Sequence, residues 1–189
     1  DRWIVLPGQG AYWNPEFLVE GRKLKIEGHC TDITGDLGVE FLKTRPGDKP
    51  FFLMLHQKAP HRAWEPDERN KALFAEKMIP EPETLFDDYA TRPAALPENE
   101  QTVANDLTRR DLKLTPPACV QGVDDNVGKV LDYLDESGLA ENTIVIYSAD
   151  NGWYLGDLGL YDKRFMYEPG LHVPLIARGP GIKAGITPD

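Results

Sequence analysis

The stretch from residue 116 to residue 147 constrains the fold more than any other part of the chain. Val120, Val123, Val127, Val130, Leu131 and Leu134 recur at i, i+3, i+7, i+10, i+11 and i+14. That spacing puts one apolar stripe on a helix starting near Pro116. Asp124, Asp125, Lys129, Asp132 and Asp135 fall largely off the stripe. Ser137-Gly138 ends the helix, because glycine accepts the left-handed turn that closes a helix C-terminus. Thr143-Ile144-Val145-Ile146-Tyr147 then follows, β-branched and of strand length, and reads as a buried strand. A helix feeding an apolar strand predicts α/β layers.

Other segments extend the pattern. Phe51-Phe52-Leu53-Met54-Leu55 is a continuous apolar run, as expected of a strand buried on both faces in a parallel sheet. Leu171–Ala177 reads as a third strand, with Pro174 marking an edge or a start. Lys23–Glu27 alternates as a short half-exposed strand. Residues 7–22 read as mostly loop, from Gly8, Gly10, Asn14 and Pro15. Ile33, Leu37, Phe41 and Leu42 predict a helix over 32–43, capped by Thr31 or Asp32 and weakened by Gly35 and Gly38. Arg45-Pro46-Gly47-Asp48 is a turn. Residues 59–97 carry repeated prolines and read as a long surface excursion with a short helix near 66–75. A polar helix is expected over 99–112.

The 189 residues suit one domain, or at most a domain plus a small appendage, with a real core, at 41% apolar and 28% charged. The net charge of −10 argues against nucleic acid as the main partner, since phosphate backbones need a basic footprint. No run of 18 apolar residues is present. No basic segment followed by an apolar stretch opens the chain. Cys30 and Cys119 are too few for a disulfide framework or a zinc cluster and read as buried thiols. Asp1-Arg2-Trp3-Ile4 starts inside an apolar stretch, which predicts that upstream residues belong to the same fold.

Ligands of open α/β sheets bind beyond the carboxyl ends of strands. Two strands end in polar clusters. After Tyr147 comes Ser148-Ala149-Asp150-Asn151-Gly152, whose carboxylate and amide carbonyl are hard oxygen donors suited to Ca²⁺ or Mg²⁺. The same Asp-Asn-Gly string is also an ordinary turn. After Leu55 comes His56-Gln57-Lys58-Ala59-Pro60-His61-Arg62. His61 and Lys163 can each bind an anion and donate a proton, and Arg62 adds a local positive charge. A solvated loop histidine and an ordinary surface lysine are the plain alternatives. His29 and His172 lack a supporting cluster and read as structural. Arg62, Trp64 and Trp153 either line a substrate pocket or simply pack.

Taken together, four segments resemble the type I sulfatase family. They are Phe51 to Arg62; Gly122-Val123-Asp124-Asp125-Asn126 onward; Asn142 to Gly152; and Gly156-Asp157-Leu158-Gly159-Leu160-Tyr161-Asp162-Lys163-Arg164. Pro7–Gly10 and Thr31-Asp32 fit the same order. The resemblance is strongest to bacterial carbohydrate sulfatases related to N-acetylglucosamine-6-sulfatase and iduronate-2-sulfatase. It implies an alkaline-phosphatase-like α/β sandwich with a mixed, largely parallel central sheet, of which residues 1–189 form the central part. It also implies Ca²⁺, with Mg²⁺ as an alternative, on Asp150 and Asn151. His61 then contacts the ester and protonates the leaving oxygen, Lys163 binds sulfate oxygens, and Arg62 assists. The implied substrate is a sulfated carbohydrate such as a glycosaminoglycan, met in the periplasm or outside the cell, with no nucleic-acid partner and no membrane span.

Departures from the family pattern are specific. Its nucleophile is a formylglycine made from Cys or Ser in a Cys-x-Pro-x-Arg context, and neither Cys30 nor Cys119 has that context. The first aspartate pair is also missing from these residues, so the 189-residue piece is expected to be inactive alone. Leu158 and Gln57 stand where histidine is usual, and Pro169-Gly170 where Glu-Ser is common. Two other readings stay open: a phosphodiesterase or phosphonate hydrolase of the same superfamily, and a non-catalytic carbohydrate-binding homologue.

Overall fold

The computed structural model describes residues 1–77, 79–103 and 109–186, with the backbone alone for 109–114. They fall into two compact units: Asp1–Ile79 with Lys113–Val130, and Pro80–Leu112 with Leu131–Asp189.

The first unit opens with an antiparallel meander of β1 (Ile4–Val5), β2 (Glu16–Val19) and β3 (Arg22–Lys25). A strand therefore lies inside the segment expected to be loop. Val19 pairs with Arg22, leaving Glu20-Gly21 as a two-residue hairpin turn with φ of 48° and 81°. Two positive φ angles match the twist of the flanking strands. Glutamate is an unusual residue there, so the composition of the turn did not advertise it. β3 also lies two residues short of the expected end, and its side chains are all exposed.

Helix α1 (Cys30–Thr44) starts with His29 at the N-cap, ahead of the expected Thr31 or Asp32. The His29 side chain makes no capping bond. Its place is set by backbone pairing, with a Trp13–His29 bridge and the Cys30 N–H donating to the Tyr12 carbonyl at 2.7 Å. Gly35, read as a weakness, is a contact point. A Cβ there would lie 2.3 Å from Asn126 Oδ1 on helix α2 (Arg109–Glu136).

Helix α2 begins upstream of the expected Pro116, and Pro116 and Pro117 lie within it. Of the polar helix expected over 99–112, residues 109–112 form the start of α2, residues 99–102 are not helical, and residues 104–108 lie outside those described. The buried face of α2 runs through Cys119, Gly122, Val123 and Asn126, while Val120 is 44% exposed. Small and polar residues set the contact, so counting apolar residues alone rotated the stripe. Asn126 is fully buried and donates through Nδ2 to Asp32 Oδ1 (2.8 Å) and the Gly122 carbonyl (2.8 Å).

Residues 51–55 form no ladder among the described residues. Their exposure alternates, with Phe52 84% and Met54 63% exposed and Phe51, Leu53 and Leu55 partly covered. The run has strand periodicity, but the described residues offer no paired neighbour, so the expected burial on both faces is absent. The short helix expected near 66–75 is a series of turns closed by bonds such as Leu73 N–H to Asn70 carbonyl, 3.1 Å. Buried Asp67 anchors that segment. It accepts from Arg69 and Asn70, and Asn70 Nδ2 also reaches Asp125 on α2 at 3.0 Å.

In the second unit, α2 stops at Glu136 and Gly138 takes φ 72°, as expected of its closing glycine. β4 (Val145–Ser148) pairs antiparallel with β7 (Leu175–Arg178), and β5 (Tyr154–Leu155) with β6 (Tyr161–Asp162). All ladders among the described residues are antiparallel. The third strand begins just after Pro174, because Glu168–Leu171 form a helical turn, α3. Ile146, Leu175 and Ile176 are 61–76% exposed, so the burial expected of β4 is not met within this chain. The core of the unit is Leu96, Tyr154, Leu158 and Leu160, flanked by Tyr89, Phe165 and Tyr167. No helix among the described residues is long and apolar enough to cross a membrane.

Candidate active site

The second unit holds three of the candidate residues. β4 delivers Asp150 and Asn151 at its carboxyl end. Gly152 follows because nothing larger fits: its N–H donates to the Gly170 carbonyl at 2.9 Å, and a Cβ would lie 2.2 Å from the Pro169 carbonyl oxygen. Pro169-Gly170 thus forms the seat for the turn after the acid–amide pair. Asn151 Nδ2 donates to the Gly152 carbonyl at 2.6 Å. That bond occupies the amide nitrogen and leaves Oδ1 as the donor atom for a cation. The Asp150 carboxylate is exposed and has no partner among the described residues. Two hard oxygens fit part of a Ca²⁺ or Mg²⁺ shell, which takes six or more. Among the described residues no three His, Cys, Asp or Glu side chains cluster to complete it.

The β5–β6 hairpin brings Lys163 back beside this turn. Tyr154 pairs with Asp162, so Trp153 and Lys163 flank the ladder, and Lys163 Nζ sits 5.3 Å from the Trp153 ring centroid. An aromatic face attracts the ammonium without neutralising it. The neighbouring carboxylate is turned away. Asp162 is buried, takes φ 74°, and accepts from Gln101 Nε2 at 3.0 Å, with Arg164 Nη2 at 3.6 Å. Lys163 makes no ion pair among the described residues.

Leu158, standing where the resemblance has histidine, belongs to the core. Its backbone is left-handed (φ 55°), its N–H donates to Thr84 Oγ1 at 2.9 Å, and its carbonyl accepts from Tyr89 Oη at 2.6 Å. Position 158 thus supplies apolar packing in this chain.

The first unit holds His61 and Arg62, both half-buried. The loop is folded by His61 N–H to Lys58 carbonyl (2.9 Å) and Trp64 Nε1–H to Pro60 carbonyl (2.8 Å). His61 Nδ1 lies 2.5 Å from the Arg62 carbonyl. A carbonyl only accepts, so Nδ1 carries the proton and Nε2 is the atom that gains or loses one. Trp64 is structural, packed against Tyr12, Ala59, Cys119 and Val123. Gln57 Nε2 donates to the Thr31 carbonyl at 3.4 Å, a contact to α1.

Tyr12 was not legible as a site residue. It is 2% exposed, and its Oη donates to the His61 carbonyl at 2.6 Å. Lys58 Nζ lies 4.6 Å above its ring. Burial raises the Tyr12 phenol well above its ordinary range and pushes the Cys119 thiol up to about 12; burial also lowers Lys58. Cys30 and Cys119 are buried free thiols, as expected. His29 is structural: it is buried, with Nε2 2.8 Å from the Glu65 carbonyl, and its ring stacks on Tyr12. His172 is exposed and pairs with Glu168 at 3.0 Å.

A family model described as sulfatase matches residues 3–187. The chain belongs to the sulfatase family. Among sulfatase relatives, an N-acetylglucosamine-6-O-sulfatase of Bacteroides thetaiotaomicron is 35% identical over 99% of this chain and 45% of its own length. The human N-acetylglucosamine-6-sulfatase is 28% identical over 98% of this chain and 35% of its own. A protein solved in complex with its substrate D-glucosamine-2-N,6-O-disulfate superimposes with a TM-score of 0.91 at 32% identity, covering 95% of this chain and 49% of that one. The fold class is thus the α/β, alkaline-phosphatase-like one expected from the sequence, although the largely parallel sheet expected with it is not seen among the described residues, whose ladders are all antiparallel. The chain spans about half the length, or less, of these relatives.

Proposed function

We propose that the protein containing this chain hydrolyses sulfate esters of carbohydrates, with an N-acetylglucosamine-6-sulfate-type ester as the substrate class. The observation that carries this reading is the Lys163 ammonium, held on an aromatic face while Asp162 is engaged elsewhere, on the unit that ends β4 in Asp150 and Asn151. An accessible positive charge beside oxygen donors suits an oxyanion. The names of the relatives agree: two are N-acetylglucosamine-6-sulfatases, and a solved neighbour carries a 6-O-sulfated glucosamine.

In this reading Asp150 and Asn151 would hold a divalent cation, Ca²⁺ or Mg²⁺, which would supply positive charge to offset that of a sulfate. Lys163 Nζ donates to sulfate oxygens. Nδ1 of His61 stays on the Arg62 carbonyl, and protonated Nε2 gives its proton to the departing sugar oxygen as that oxygen gains charge. Arg62 adds positive charge on the substrate side. The nucleophile, a formylglycine, comes from outside these 189 residues, and this segment alone turns over no ester. A sulfated polysaccharide as substrate places the work in the periplasm or outside the cell.

The test is the full-length, matured protein assayed with N-acetylglucosamine-6-sulfate and with matched aryl sulfate and aryl phosphate esters. Sulfate release is expected to dominate. Lys163→Ala and His61→Ala should each lower turnover of the sugar ester by about 10²–10³ while leaving the unfolding transition in place. Faster phosphate than sulfate release would assign the site to phosphoester chemistry, and carbohydrate binding without release of either anion would assign it to recognition alone.

A further inference from the structure

We propose that Tyr12 is a positioning residue for the proposed proton donor, acting on His61 through its backbone; this rests on the acid role given to His61 above. The loop that presents His61 is folded by bonds such as His61 N–H to the Lys58 carbonyl, Trp64 Nε1–H to the Pro60 carbonyl, and His61 Nδ1 to the Arg62 carbonyl. Ala59 and Trp64, on either side of His61, pack into the buried cluster with Cys119 and Val123. Tyr12 provides an anchor from far away in sequence, with Oη donating to the His61 carbonyl at 2.6 Å across 49 positions.

The anchor itself is held on several sides. The Tyr12 ring packs with Ala59, Cys119 and Val123. Its carbonyl accepts from the first residue of α1, Cys30, at 2.7 Å. The Lys58 ammonium covers one ring face at 4.6 Å. Burial keeps the phenol protonated, so it acts only as a neutral donor toward the carbonyl. A carbonyl held at the 61–62 peptide fixes the chain one residue before the Arg62 carbonyl, the acceptor that orients the His61 ring. Loss of Oη frees that peptide to tilt, and the imidazole tilts with it.

Tyr12→Phe removes Oη and keeps the ring. In the full-length, matured protein it is expected to lower kcat for a sugar sulfate by about 10- to 100-fold, the size expected of a displacement near 1 Å, and kcat for an activated aryl sulfate by less than about threefold. The contrast follows because a poor leaving group needs the proton and a good one does not. Val123→Ala, which loosens the same cluster without touching His61, should lower both substrates alike. Equal losses on both substrates in Tyr12→Phe, or no loss on the sugar ester, overturn the proposal. If Tyr12→Phe does not fold, 3-fluorotyrosine at position 12 keeps the shape and alters the donor. A change in the ratio of the two rates then supports the proposal, and an unchanged ratio overturns it. His61→Ala separates the two readings. If that variant loses both substrates equally, the acid role of His61 fails; if it is selective and Tyr12→Phe is not, the Tyr12 role alone fails.

Discussion

Glycine-to-alanine substitutions at two helical positions should have opposite signs. At an open helical site, alanine gains up to about 1 kcal/mol over glycine from propensity alone. Gly128 on α2 is such a site, with nothing within 4 Å of a Cβ built there. Gly35 on α1 is not: its Cβ would lie 2.3 Å from Asn126 Oδ1 and 2.8 Å from Asn126 Cβ. Asn126 has no room to move aside, being fully buried and committed to Asp32 and the Gly122 carbonyl at 2.8 Å each. Overpacking of this kind costs about 1–3 kcal/mol. Weakening the bond to the Asp32 carboxylate adds about 1.5–3 kcal/mol, the worth of a hydrogen bond to a charged group. Against a propensity gain near 1 kcal/mol, the net for Gly35→Ala is about 1.5–5 kcal/mol of destabilisation. Urea unfolding followed by circular dichroism measures both variants. Gly35→Ala combined with Asn126→Ala should lose less than the sum of the single changes, because the second removes the clashing atoms. A Gly35→Ala protein as stable as Gly128→Ala would refute the close helix contact.

Trp153→Phe should preserve much of the hold on Lys163 and Trp153→Leu should remove it, with the leucine variant losing roughly 0.5–2 kcal/mol of inorganic sulfate binding by titration calorimetry. Equal affinities in the two variants would break that link. Burial alone would raise the Asp67 carboxyl, but bonds from Asn70 and Arg69 outweigh it and hold it below its ordinary range. A carboxyl depressed in the folded state stabilises the protein above its unfolded value near pH 4, and that contribution is lost as pH falls through the folded value. Asp67→Asn should therefore flatten the fall of unfolding free energy below about pH 4; an unchanged slope would place the acid sensitivity elsewhere. Chelation should abolish ester turnover by the full-length protein and added Ca²⁺ restore it. Asp150→Asn should raise the Ca²⁺ concentration required, and an unshifted requirement would move the cation off Asp150.

Periodicity and turn chemistry carried much of the fold. The β4 segment, the end of α2 at Glu136 and the start of β7 after Pro174 follow from β-branched runs, a closing glycine and a proline that cannot continue a ladder. What stayed hidden depended on partners distant in sequence. Gly35 looks like a defect in α1 until Asn126 is set against it, and Val120 looks like core until the small residues of α2 are seen to make the contact. Hairpin β2–β3 turns on Glu20, a residue with no turn signature. Phe51–Leu55 and β4 expose apolar side chains, because burial depends on neighbours rather than on hydropathy. For the site, the motif order nominates Asp150, Asn151, His61 and Lys163 as candidates, but neither Tyr12 under His61 nor the inward turn of Asp162 leaves a mark in local sequence.

If the proposed function holds, the inward turn of Asp162 bears on how a sulfated ligand would arrive. A chain with a net charge of −10 repels a polyanion at long range, so diffusional steering works against encounter. Pairing that carboxylate with Gln101 and Arg164 takes one negative charge away from the Lys163 ammonium, which favours an anion at short range. Attraction then begins within a few ångströms, while the repulsion reaches about a Debye length, ~8–10 Å in ordinary buffers. Raising ionic strength screens the distant term more than the near one, so moderate salt should quicken association with a highly sulfated chain where it would slow it for a basic protein.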